Sequence, residues 1–379
     1  KEEDEWALKY RIDSYHNFLK LGLPDFGPKI ELDFDNIIYY KSRQESEIKN
    51  NWNDINCSVK NELDNLGVLE SEKHLDRTIE YIKAKGKKAA VALNPATPVH
   101  LQYESEVIYH NMLSELEEKN VIFTSIEVAM KKYPELVKKY FGKIVSNNEN
   151  KFAALNGAVF SGGSFIYIPP NTTLDRPLQS YFRINSRNMG QFERTLIIVD
   201  DNSHLHYVEG CTAPTYSDSS LHAAVVEIYV GKNSSCRYST IQNWAPNVYN
   251  LVTKRALVDE NGVMEWIDGN IGSRLTMKYP CCVLKGDNSK GTCITISVAS
   301  KTQEQDSGAR MIHLGKNTTS NIISKSIAQS GGNSTYRGKV RITKGATGSS
   351  AMVKCDTLIL DSISKSDTIP VNICENESS

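Results

Sequence analysis

The residues with the most chemical reach in this chain are eight cysteines: Cys57, Cys211, Cys236, Cys281, Cys282, Cys293, Cys355 and Cys374. Only the thiolate form of such a residue acts as a nucleophile or a metal ligand. None of the eight forms a CxxC. Cys281 and Cys282 are adjacent, so on a strand they point to opposite faces and do not chelate one metal together. Cys355 lies in SSAMVKCDTLILDS, residues 349–362. Val353, Cys355, Thr357 and Ile359 share one face of that strand; Met352, Lys354, Asp356, Leu358 and Leu360 share the other. A packing cysteine is the ordinary reading of such a position. His204 and His206, in HLHYVEG, also share a face and would suit a metal, but no third ligand accompanies them.

The 379 residues suffice for two or three domains and a large core. Lys and Arg number 44 against 45 Asp and Glu, which offers neither a nucleic-acid-binding surface nor a partner for an anionic membrane. No apolar run approaches the ~20 residues that span a bilayer. The start, KEEDEWALKYRIDSYHNFLKL, reads as a charged amphipathic helix and not as a signal or transit peptide. With no secretory signal, the cysteines imply a reducing compartment. Frequent Asn, Lys, Ile and Ser point to an AT-rich genome such as an organelle's. The NTT and NSS sequons read as Asn/Ser-rich turns.

Two textures divide the chain. Residues 1–148 read as a mostly helical domain: DEWALKYRIDSYHNFLKLG ends at Gly22 and Pro24, KNELDNLG stops at Gly67, and SEVIYHNMLSELEEKN and SIEVAMKKYPELVKKYFGKIV follow. Thr124 and Ser125 are expected to cap the last of these, with Glu127 in its first turn. Residues 149–379 are short β-rich runs, from KFAALNGAVF to AMVKCDTLIL, separated by Gly, Asn, Asp and Ser. A strand every ten or so residues means a sandwich, barrel or solenoid. The echo of VGKNSSCRYSTI (230–241) in LGKNTTSNIISKSI (314–327) favours a solenoid.

From FAALNGAVFSGGSFIYIPP onward the sequence closely resembles the SufB scaffold proteins of the SufB/SufD family, which serve the Suf iron–sulfur cluster assembly machinery. The matching words include GQFERTLIIVDD, YVEGCTAP, YSTIQNW, KYPCCVLKGDNS, DSGARMIHLGKNTTSNIISKSI and VKCDTLILD, over about residues 150–373. The resemblance implies a mainly β fold, a right-handed parallel β-helix preceded by the helical domain. It also implies a non-enzymatic scaffold that accepts persulfide sulfur and builds a nascent iron–sulfur cluster at an interface with SufD. SufC would be the ATPase partner, SufE and SufS the sulfur donors, and reduced flavin is bound in some complexes, though no flavin motif is visible here. By the same resemblance Cys211 accepts sulfur and Cys355 is the assembly thiol and metal ligand. Arg183, Asn185, Gln242, Trp244 and Lys254 line the interior between them. Arg183 and Asn185, like Gln242 and Trp244, are spaced i, i+2 and share a strand face. For an isolated Arg, Gln or Lys, surface charge or turn chemistry is the plainer reading. The location implied is a plastid or apicoplast stroma, or otherwise a bacterial cytoplasm.

The family's downstream glutamate word and its C-terminal helical region, which docks SufC, have no counterpart before IPVNICENESS, so normal SufC binding is not expected of this chain. Residues 70–105 are anomalous. HLDRTIEYIKAKGKKAAVALNPATPVH resembles one βα unit of ribulose-phosphate 3-epimerase, which cannot by itself close an eight-stranded barrel. An epimerase-like isomerase is therefore one alternative, separable by an epimerisation assay, and a SufD-like structural paralogue is another.

Overall fold

The computed structural model describes residues 3–40, 99–103, 106–111, 114–184, 188–213 and 219–375. The expected helix KNELDNLG, most of the 70–105 segment, Cys57 and Asn185 lie outside them. Two long parallel sheets face one another in a β-solenoid of about seven turns, as the strand spacing predicts. In the first sheet the consecutive solenoid strands are Leu178–Arg183, His204–Thr212, Ser235–Trp244, Val263–Gly272, Lys290–Ser300, Thr319–Gln329 and Ser350–Ile359. The second sheet includes Arg194–Val199, Val225–Val230, Val248–Val258, Leu275–Lys278, Asn333–Ile342 and Lys365–Cys374.

The alternating sequence explains the interior. Ser235–Trp244 and Lys290–Ser300 bury every second side chain, so one face of each strand is removed from water. The GKN echo marks stacked turns. Asn171, Asn202, Asn233, Asn261, Asn288 and Asn317 all take left-handed backbone angles, with φ between 53° and 59°. Asparagine tolerates that region better than most residues. The side chains form a ladder: Asn202 Nδ2 donates to Asn171 Oδ1, Asn233 to Asn202, Asn261 to Asn233 and Asn288 to Asn261.

The helix Glu5–Lys20 forms as expected and lies against a second helix, Lys151–Val159. That second helix corrects the β reading of KFAALNGAVF: Asn150 caps it, its side-chain oxygen accepting from Phe152 N and Ala153 N, and its first turns are rich in alanine. A second correction falls on SEVIYHNMLSELEEKN. Glu106–Asn111 is a strand paired antiparallel with Val99–Tyr103, and among its described residues only Ser114–Glu118 is helical. Val107, Ile108 and Tyr109 favour extended backbone, and the pair continues the first sheet. Ser125 caps Ile126–Lys132 as expected, accepting from Val128 N at 3.3 Å; a new helix begins at Pro134.

A buried ion pair fixes this outer layer to the solenoid. Glu227 accepts from Arg194 Nη2 at 2.6 Å and from the backbone of Gly142, Ile144 and Val145 at 2.9–3.0 Å.

His313 is a pH-sensitive core group. Its nitrogens bond Thr318 Oγ1 at 2.8 Å and Ser320 Oγ at 2.9 Å, and burial pushes its pKa from 6.5 down to about 4. Between those values the unfolded chain binds a proton that the native state refuses. Stability from this group is therefore full above 6.5 and falls as pH drops toward 4. His313→Gln should show a smaller fall in urea midpoint than wild type between about pH 7 and about pH 5. An equal fall would assign the acid sensitivity to other groups.

Candidate functional site

In-register parallel pairing stacks side chains of one face into rows. On the inner face of the first sheet one row reads Ser180, Glu209, Thr240, Asp268, Thr295, Ser324, Cys355. Beside it runs Phe182, Cys211, Gln242, Asn270, Ser297, Ser326, Thr357. The flanking row on the other side is apolar: Leu178, Tyr207, Tyr238, Trp266, Cys293, Ile322, Val353. Cys211 and Cys355 thus occupy adjacent polar rows of one interior. Five inter-strand steps separate them, about 24 Å at ~4.8 Å per step.

The second sheet supplies cations to this interior. Lys254 Nζ lies 3.6 Å from Glu209 and 3.9 Å from Asp268, and Lys278 Nζ lies 3.2 Å from Asp268. All four side chains are at most 2% exposed. Lys254 also sits over the Tyr238 ring, 4.4 Å from its centroid. Burial alone would lower the Lys254 ammonium, but Glu209 and Asp268 outweigh it and hold the pKa above its usual value. Burial and the neighbouring Lys254 charge pull Lys278 down. Buried charges of this kind are costly unless mutually compensated.

Cys211 is 3% exposed. Burial raises its pKa well above the ordinary thiol value. Glu209 and Glu193 add to that, while Lys254 and Lys278 oppose it. Its Sγ lies 3.8 Å from Glu209 Oε1, and Gln242 Nε2 donates toward it at 3.9 Å. Gln242 Oε1 accepts from Asn250 Nδ2 at 2.8 Å and from Lys278 Nζ at 3.1 Å. Trp244 is buried, its ring 4.6 Å from that of His222. Cys355 is half-buried, at the last described rung of the first sheet, with Thr368 Oγ1 3.9 Å from its sulfur. Burial raises its pKa; hydrogen bonding from Thr368 and Ser324 works against the rise.

Gln242, Trp244, Lys254, Cys211 and Cys355 therefore converge on one interior. Arg183 does not. In Leu178–Arg183 the inward positions are Leu178, Ser180 and Phe182, so Arg183 takes the outward, partly exposed face. Its i, i+2 spacing with Asn185 predicts a shared face but not which one. His204 and His206 also lie outside, bonded to Ser235 Oγ at 2.8 Å and Ser239 Oγ at 3.1 Å. Sequence reasoning missed Glu193, Glu209, His222, Asn250, Asp268 and Lys278. For Glu209 and Asp268 a signal existed: each stands at an inward position of an alternating strand, where an apolar residue belongs.

Residues 182–379 match the description "SUF system FeS cluster assembly, SufBD core domain", and residues 100–180 match "SufBD protein N-terminal region". An iron-sulfur cluster assembly SufBD family protein of Staphylococcus saprophyticus is 53% identical over 378 residues, covering 100% of this chain and 77% of that protein. The chain belongs to the SufBD family. SufBD relatives from Staphylococcus aureus strains are 52% identical over the same length. These relatives are bacterial, so the expected plastid or apicoplast stroma finds no support. Among the described residues no helix is long and apolar enough to cross a membrane. Residues 64–114 match the "Ribulose-phosphate 3 epimerase family". The described part of that segment, Val99–Tyr103 and Glu106–Asn111, is built into the first sheet beside Leu178–Arg183.

Proposed function

We propose that this SufBD chain is the SufB-type scaffold. It receives sulfur at Cys211 and assembles a nascent iron–sulfur cluster at Cys355, with SufD across an interface, SufC as ATPase, and SufS and SufE as sulfur donors. It is not itself an enzyme in this reading. One observation carries the proposal: a row of buried polar and ionic side chains leads from the neighbourhood of Cys211 to Cys355. A stable core gains little from buried ions, since packed apolar residues of similar volume serve as well or better.

The chemistry follows from the site. Cys211 rests as the thiol, because burial and two carboxylates disfavour the anion. To accept sulfur it loses its proton, for which Glu209 Oε1, 3.8 Å from the sulfur, is a base within reach. The thiolate attacks the outer sulfur of a donor persulfide, giving a Cys211 persulfide and the donor's thiolate. No single exchange reaches Cys355 from there. The balanced route uses a small thiolate carrier, which takes the outer sulfur from the Cys211 persulfide as the Cys211 thiolate leaves and then yields it to the attacking Cys355 thiolate as the carrier thiolate leaves. The lysines lie where such an anionic carrier needs compensating charge, and the hydroxyls of Thr295, Ser297, Ser324 and Ser326 continue the polar lining. Cys355 is half-buried on the last described rung, so ligands from a partner complete a site that one thiolate cannot.

A SufD-like structural paralogue is the second reading. A thiol closing the polar row favours the scaffold. Co-expression with SufC, SufD and the sulfur donors, followed by anaerobic reconstitution and absorption spectroscopy, tests the proposal. The scaffold reading expects cluster absorption that depends on this chain. Full cluster yield from the partners without it would assign assembly elsewhere.

A further inference from the structure

Glu193, Cys211 and His222 converge from three different strands or turns, and all three are buried. One ligand atom from each lies within 4.8 Å of the other two. We infer that these residues form a binding site for one thiophilic divalent cation, of the Fe²⁺, Co²⁺ or Zn²⁺ class. Sulfur, nitrogen and oxygen donors in this combination suit such ions, and alkaline-earth ions prefer all-oxygen sites. Metal–ligand bonds of about 2.0–2.3 Å place donors roughly 3.5 Å apart, so the direct His222 Nε2–Glu193 Oε1 contact opens when an ion enters between them.

The surroundings orient His222 as a ligand. Lys278 only donates, so the atom of Gln242 that it contacts is the oxygen, Oε1. Asn250 Nδ2 donates to the same oxygen, which turns Asn250 Oδ1 toward His222 Nδ1 at 2.7 Å. Nδ1 therefore carries a hydrogen, and Nε2 is directed to Glu193 Oε1. Metal-binding histidines are commonly fixed this way, the far nitrogen donating to a carbonyl. A histidine–glutamate pair is by itself an ordinary core feature. Here the second carboxylate oxygen, Glu193 Oε2, is buried with no hydrogen-bond partner. Three protein ligands leave a fourth position for water or an exogenous sulfur.

Cobalt(II) is the probe, because its thiolate complexes absorb strongly in the near ultraviolet. It would be added anaerobically to the purified full chain carrying Cys355→Ser, which removes the other candidate ligand thiol. The inference expects one equivalent bound, a thiolate-to-cobalt charge-transfer band, and displacement by zinc. Cys211→Ser, close to isosteric, should abolish the band, and Glu193→Gln and His222→Gln should weaken binding at least about tenfold. Circular dichroism establishes that each variant is folded; if either glutamine variant unfolds, the Cys211→Ser comparison decides. Absence of the band, or its survival in Cys211→Ser, overturns the site. The inference is independent of sulfur transfer: a cobalt band in a protein that fails reconstitution would leave this site standing and remove only the scaffold reading.

Discussion

Cys355→Ser, introduced into the gene and studied with its partners, should abolish cluster assembly while leaving fold and complex formation intact. The structural cost is small. Cys355 is only half-buried, and a core-type substitution there falls in the range of about 1–2 kcal/mol. The chemical cost is total, because a serine hydroxyl stays protonated near neutral pH and ligates iron poorly. Cys236→Ser and Cys293→Ser provide the contrast. Both thiols are buried in the apolar row or its equivalent, and burial pushes Cys293 up to about 12. Assembly should survive both changes. Normal cluster yield from Cys355→Ser would show that this thiol only packs.

The second large effect concerns the buried charges. Asp268→Ala removes the carboxylate shared by Lys254 and Lys278. It leaves Lys254 paired with Glu209 and Lys278 without its ion-pair partner, and breaking a buried ionic network in this way costs about 3–5 kcal/mol. Chemical denaturation should show the loss as a lower midpoint. Asp268→Leu combined with Lys278→Met removes one charge of each sign and keeps the Lys254–Glu209 pair. That double variant should recover most of the stability, since apolar replacements of buried ion pairs are often neutral. It should not recover sulfur delivery to Cys355. If it restores both, the ionic row is structural; if the single variant is as stable as wild type, the four charges are not coupled as their distances indicate.

How much of this was legible in the sequence depended on range. The face shared by Val353, Cys355 and Thr357 follows from period-two geometry within one strand, and the structure places all three inward. The solenoid was visible in strand spacing and in the repeated GKN turn, although the asparagine ladder emerges only when turns stack. The errors were local ambiguities settled by neighbours. KFAALNGAVF is apolar enough for a strand, but the Asn150 cap makes it a helix. Arg183 shared a parity with Asn185, and nothing within YFRIN says that Phe182 claims the interior. Lys278 and His222 were illegible for a different reason. Lys278 meets Asp268 across the two sheets, while His222 meets Asn250 and Glu193 on neighbouring strands and turns of the second sheet, and both pairings join residues that are distant in the sequence.

The account's central claim is that sulfur passes through the interior from Cys211 to Cys355. Persulfide mapping by mass spectrometry, after incubation with SufS, SufE and cysteine, tests it most directly. The account predicts that Cys355→Ser accumulates persulfide on Cys211, and that Cys211→Ser leaves Cys355 unmodified. Persulfide on Cys355 in the Cys211→Ser protein, at the wild-type rate, would contradict it.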